Sequence, residues 1–147
     1  MAVMAIRAAR WFERCFLASL GLVVALAAWW LYIEPDPLVV HGGEVQTPIV
    51  ARGDYIQVEW RAEKRSQCPA EAKYFIRDGQ GNIWQLPGAG GFNPVGDGSI
   101  KIVRYRVKIP EAAEDGPAEF WETVTYRCNP LREHVIVKPR LKFTIAG

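Results

Sequence analysis

IQVEWR (residues 56–61) and VRYRVKI (residues 103–109) decide the fold of most of this chain. In the first, Ile56, Val58 and Trp60 alternate with Gln57, Glu59 and Arg61. In the second, Val103, Tyr105, Val107 and Ile109 alternate with Arg104, Arg106 and Lys108. A period of two puts the apolar set on one face of an extended strand, so both stretches predict half-buried β-strands. Outward from them, residues 38–41 and 45–51 predict opening strands separated by Gly42-Gly43. Residues 72–78 and 82–86 predict a hairpin turned at Asp78-Gly79-Gln80-Gly81. Residues 120–128 and 135–145 complete the set, and no amphipathic helix of any length follows Ile33. Seven or eight strands in about 110 residues, without helices between them, predict an all-β antiparallel sandwich.

Ahead of this region, residues 15–33 read CFLASLGLVVALAAWWLYI, without a charge or a proline. As a helix this run would span roughly 28 Å, close to the hydrocarbon thickness of a bilayer. Arg7, Arg10 and Arg14 precede it and Glu34, Pro35 and Asp36 close it, while Trp29, Trp30 and Tyr32 cluster at its far end. The positive-inside rule then keeps the N-terminus in the cytoplasm and exports the rest. The expected organisation is a cytoplasmic segment 1–14, a transmembrane signal anchor 15–33, a linker 34–37 and an extracytoplasmic domain 38–147. In a Gram-negative cell that domain is periplasmic. The competing reading is a cleaved signal, since Ala25-Leu26-Ala27 has the small-x-small form of a cleavage site. Ala18, Gly21, Ala25 and Ala28 recur at steps of three and four along one helix face. Such a stripe permits close helix pairing, and so a homo-oligomer, although small residues are also simply common in membrane helices.

Charge excludes one class of function. The formal net charge is +2, and all of it arises before residue 34; beyond that point fifteen basic residues face fifteen acidic ones. The domain therefore has no basic excess with which to bind nucleic acid. With only His41 and His134, and three widely spaced cysteines, the common zinc patterns are absent and no metal or cofactor is expected. No nucleophile stands near either histidine in sequence, and no pair of carboxylates stands out for acid–base work. The glycine-rich stretch 86–98 lacks the Gly-Lys-Ser/Thr of a phosphate loop.

Tyr126-Arg127-Cys128 resembles the Tyr-x-Cys of the sixth strand in immunoglobulin-like domains, and Trp60 resembles their core tryptophan. Trp60 precedes Cys68, however, where that family places it after the first cysteine. The resemblance implies an immunoglobulin-like or fibronectin-type-III-like sandwich over residues 38–146. The plan of anchor plus sandwich is also similar to small envelope proteins of bacteria and their phages. In the implied topology the loops bearing Cys68 and Cys128 emerge at one end, and export into an oxidising compartment favours a disulfide between them.

Two candidate binding surfaces remain. The long loop at residues 86–98 carries Phe92, Asn93 and Val95. Arg104, Arg106 and Lys108 form a basic stripe on one strand face, and Lys138, Arg140 and Lys142 share parity on the last strand. Either stripe could meet an acidic partner or anionic lipid, or simply be a solvated face paired with glutamates. The expected function is a non-enzymatic, membrane-anchored domain for protein–protein contact with an unidentified partner. The alternative is a structural or morphogenetic component of an envelope- or virion-associated assembly.

Overall fold

The computed structural model describes residues 2–88 and 97–147. Phe92, Asn93 and Val95 of the expected binding loop lie outside the described residues. The chain divides into two units, the residues up to Pro35 with Asn129–Arg132, and Asp36–Cys128 with Glu133–Gly147.

The first unit is built on one helix, α1 (Ala2–Ala28), continued by a wider turn over Trp29–Ile33. That turn is closed by the Glu34 amide donating to the Trp29 carbonyl at 3.0 Å, a five-residue step. The helix starts well before the apolar run because nothing between Ala2 and Arg14 breaks it. Its stretch Trp11–Ile33, with a mean hydropathy of 2.1, is long and apolar enough to cross a membrane.

The second unit is mostly β-structure: β1 (Leu38–Val45), β2 (Ile49–Val50), β3 (Tyr55–Lys64), β4 (Ala70–Arg77), β5 (Ile83–Pro87), β6 (Ile100–Lys108), β7 (Gly116–Tyr126), β8 (His134–Val137) and β9 (Leu141–Ile145). They form two sheets, one in the order β1-β3-β6, the other in the order β2-β9-β7-β4-β5 with β8 also beside β7. The pairing is antiparallel except between β2 and β9, which run parallel with Ile49 opposite Thr144. Three sequence expectations are thereby corrected. Nine strands are present among the described residues, the sheets are not purely antiparallel, and the last predicted strand is two. The break falls at Lys138-Pro139-Arg140, where proline has no amide to donate to a ladder.

Gly42 and Gly43 do not separate a pair of strands either; β1 runs through them with a bulge between Val40 and Gly42. Gly43 lies opposite Trp60, and a Cβ there would collide with the Trp60 ring. The glycine is the space into which the indole packs.

The inner faces follow the alternation. Ile56, Val58 and Trp60 of β3 meet Ile76 of β4, Phe120 of β7 and Phe143 of β9 in one core cluster. A second, smaller cluster joins Leu38, Ala62, Val124 and Tyr126, backed by Cys68 and Cys128. Those two cysteines form the expected disulfide, with a Cα–Cα distance of 4.8 Å. Tyr126 is the last residue of β7, towards the end of the strand predicted over residues 120–128, whereas immunoglobulin-like domains place this tyrosine near the strand's start. β4 and β7 are neighbours, with Ala70 opposite Tyr126, so the bridge extends a ladder within one sheet. At the opposite end of β4, the buried Asp78 carboxylate accepts hydrogen bonds from Asn82, from the Trp84 indole and from the amides of Gln80, Asn82 and Glu114. Burial pushes its pKa up, but the hydrogen bonds from Asn82, Trp84 and Glu114 outweigh that and hold it well below the usual carboxylate range.

Two measurements check these contacts. Cys68→Ser in the full-length chain should remove the intramolecular crosslink seen on non-reducing electrophoresis and cost about 2–5 kcal/mol in denaturant unfolding. Because the folded pKa of Asp78 is depressed, its contribution is complete above the unfolded value near about 3.9 and is lost as pH falls towards the folded one. Asp78→Asn should therefore be less stable than wild type at neutral pH, with the gap narrowing as the pH of the melts falls below about 4.

Candidate functional site

Between the two sheets lies a cavity of about 730 Å³. Ala62, Val103, Ala72, Leu86 and Val124 give it apolar walls from both sheets. Its dimensions follow from small side chains at inward positions: Ala62 on β3 and Ala70 and Ala72 on β4 leave room that leucine or phenylalanine would fill. The cavity lies where the two core clusters meet, with Tyr74 and Val103 of one and Leu38, Ala62, Val124 and Tyr126 of the other on its wall.

One side of the cavity is polar. The inward register of β7 (Ala118, Phe120, Val124, Tyr126) places a carboxylate, Glu122, among apolar neighbours. The Tyr105 hydroxyl donates to Glu122 Oε2 at 2.5 Å, and the Trp60 indole donates to the Tyr105 oxygen at 2.7 Å. Lys138 Nζ donates to the same Oε2 at 2.6 Å and sits 4.9 Å from the centre of the Trp60 ring. Burial pushes the Lys138 pKa down, opposed by the Glu122 charge beside it. Burial first, then the Glu122 charge and hydrogen bond, push the Tyr105 hydroxyl far above its ordinary range, so it remains a donor. Tyr74 stacks on Tyr105 with ring centres 5.2 Å apart.

A second lysine lines the cavity. The inward series of β3 runs Ile56, Val58, Trp60, Ala62 and then Lys64, which is 3% exposed. Its ammonium nitrogen is buried and has no hydrogen-bond partner among the described residues, and burial pushes its pKa down. The other lysines of the lining each have a carboxylate: Lys73 faces Glu71 at 3.6 Å, Lys101 faces Asp97 at 2.9 Å, and Lys138 faces Glu122.

The residues singled out from sequence are distributed elsewhere. Arg104, Arg106 and Lys108 are exposed on the outer face of β6. Arg104 lies opposite the buried Glu59 and pairs with it at 2.7 Å, and Lys108 pairs with Glu111 at 3.2 Å. Lys138 does not belong with Arg140 and Lys142 on a surface stripe; it turns inward at the break between β8 and β9. Arg140 and Lys142 are exposed, the former over the Trp121 ring at 4.8 Å. Ala18, Gly21 and Ala25 are exposed on the helix, with Ala28 half-buried. His41 lies 3.4 Å from Glu63, and the buried His134 lies 3.3 Å from Asp36. Among the described residues, no three His, Cys, Asp or Glu side chains gather as metal ligands. Sequence reading missed Lys64 and Glu122, although each continues an apolar series of period two.

No protein-family model matches the chain, and no curated protein matches it by sequence. Among solved structures it is similar to the alkylpurine DNA glycosylase AlkC of Pseudomonas fluorescens, bound to DNA containing an abasic site analogue. The TM-score is 0.52 at 15% identity over 78% of this chain and 32% of that one. This chain thus spans about a third of the glycosylase, and the likeness concerns fold alone. A Niemann-Pick type C2 protein from the Japanese carpenter ant aligns with a TM-score of 0.45 at 12% identity, over 78% of this chain and 96% of that one.

The polar side of the cavity makes its own prediction. Glu122→Ala leaves Lys138 buried without its counter-ion and should cost about 3–5 kcal/mol in denaturant unfolding. The double variant Glu122→Leu with Lys138→Met removes both charges and should recover most of that loss.

Proposed function

We propose that this chain is a single-pass membrane protein that holds a non-catalytic, immunoglobulin-like binding domain outside the cytoplasm. The observation that carries the reading is the Cys68–Cys128 disulfide in the domain that follows an arginine-flanked apolar helix. Disulfides persist in oxidising compartments, and the arginines before the helix favour a cytoplasmic N-terminus. Support for an immunoglobulin-like sandwich comes from strand order. The orders β1-β3-β6 and β4-β7-β9 match the orders A-B-E and C-F-G of that fold. The disulfide departs from that pattern, since it ties C to F within one sheet where antibody domains tie B to F across two. Binding is supported by the cavity, whose volume falls within the range of about 300–1,000 Å³ usual for ligand sites.

A second reading, assembly with further copies or with an envelope partner, is favoured by the edge strand β6. It exposes Ile100 and Ile102 beside a strand edge that pairs with no other strand among the described residues, and to which an extended segment could add.

Location is tested by reporter fusion. An enzyme active only outside the cytoplasm should work when fused after Gly147 and fail when fused before Met1. Mature protein beginning near Ala28 would overturn the anchor.

A further inference from the structure

We propose that the cavity between the sheets takes a small amphiphile with a single anionic head, which pairs with Lys64 while its apolar body fills the space between Ala62, Ala72, Val103, Leu86 and Val124. This rests on reading the domain as a binding module and names the class of its ligand.

Three observations converge on it. A lysine occupies an inward position of β3, the central strand of its sheet, where Ile56, Val58, Trp60 and Ala62 are all core residues. Burying an ammonium without a partner is costly, and a chain that needed only a core would place an apolar residue there. The cost is recovered when an anion enters. The lining also carries an unbalanced charge, four lysines against the two glutamates Glu71 and Glu122. Three of the four have their own carboxylates, which leaves Lys64, among the described residues, as the lining cation with an open valence. Finally, the remaining wall is largely aliphatic and aromatic, so a fully hydrated anion such as inorganic phosphate would lose its water without replacement over most of the space. A carboxylate, sulfonate or phosphate on a hydrocarbon or aromatic body satisfies both demands.

Glu122 does not compete for this role. Its Oε2 already receives Tyr105 and Lys138, so the Glu122 charge is matched by its own lysine. Among the described residues of the lining, the charge left to address is that of Lys64.

The test uses the full-length chain in nanodiscs of phosphatidylcholine, with empty discs as the blank, and titrates decanoate, decanol and decyltrimethylammonium by calorimetry. Decanoate should bind more tightly than the other two. Lys64→Met should weaken decanoate by roughly ten- to a hundred-fold, the worth of a charge-assisted hydrogen bond, and leave decanol unchanged. The same variant, without ligand, should melt at a higher temperature than wild type because an unpaired buried charge has gone. Lys64→Arg should retain decanoate. A misfolded variant would lose decanol too and melt lower, so loss of folding is distinguished from loss of the anion site. Equal binding of decanoate and decanol to wild type, or unchanged decanoate binding in Lys64→Met, overturns the proposal. Absence of binding by all three probes overturns it as well, while leaving the fusion result and the membrane reading standing. Adding phosphatidylglycerol to the discs separates the sources: competition with decanoate identifies a bilayer lipid, and unchanged affinity identifies a ligand from the aqueous phase.

Discussion

The carboxylate of Glu122 joins the two sheets, and much of the remaining geometry depends on where it lies. It sits on β7, yet it is held by Tyr105 of β6, which is held in turn by Trp60 of β3, both in the other sheet. Lys138, from the turn between β8 and β9, completes the set from its own sheet. Hydrophobic contact alone tolerates sliding of one sheet over another. A buried charge that must meet a hydroxyl and an ammonium does not, and it fixes the register of β7 as well. A slip of one residue would carry Glu122 to the outer face and bring Trp121 or Thr123 into its place. The network is therefore weak evidence for stability and better evidence for uniqueness of the packing.

Much of this was readable from alternation. β3 and β6 lie where Ile56–Arg61 and Val103–Ile109 placed them, the hairpin at Asp78–Gly81 joins β4 to β5, and the apolar helix was plain from composition. The inward lysine and glutamate could also have been found, because Lys64 and Glu122 each stand at the parity of their core neighbours. The eye passes over them because a charge is assumed to face water. Lys138 is a different case. Its parity with Arg140 and Lys142 suggested a surface stripe, but Lys138 continues the inward series of His134 and Ile136, and the break at Pro139 resets the alternation so that Arg140 and Lys142 face outward. The cavity was not legible at all. Its volume is set by which small residues on β3 and β4 face one another across the gap, and that depends on register between strands distant in sequence.

The covalent framework bears on how the two sheets can move. The chain has three cysteines, and its one disulfide joins β4 to β7, which are already hydrogen-bonded neighbours. No rivet passes from one sheet to the other; between them there is packing and the Glu122 network, with the connecting loops at the ends. The assembly resembles a book stitched along one cover. The stitched cover is tied by Cys68 and Cys128, while the other is held against it by packed side chains and by the hydrogen bonds of Tyr105 and Trp60. Any change in the spacing of the covers is therefore opposed by packing, hydrogen bonds and an ion pair, and it leaves every covalent bond intact.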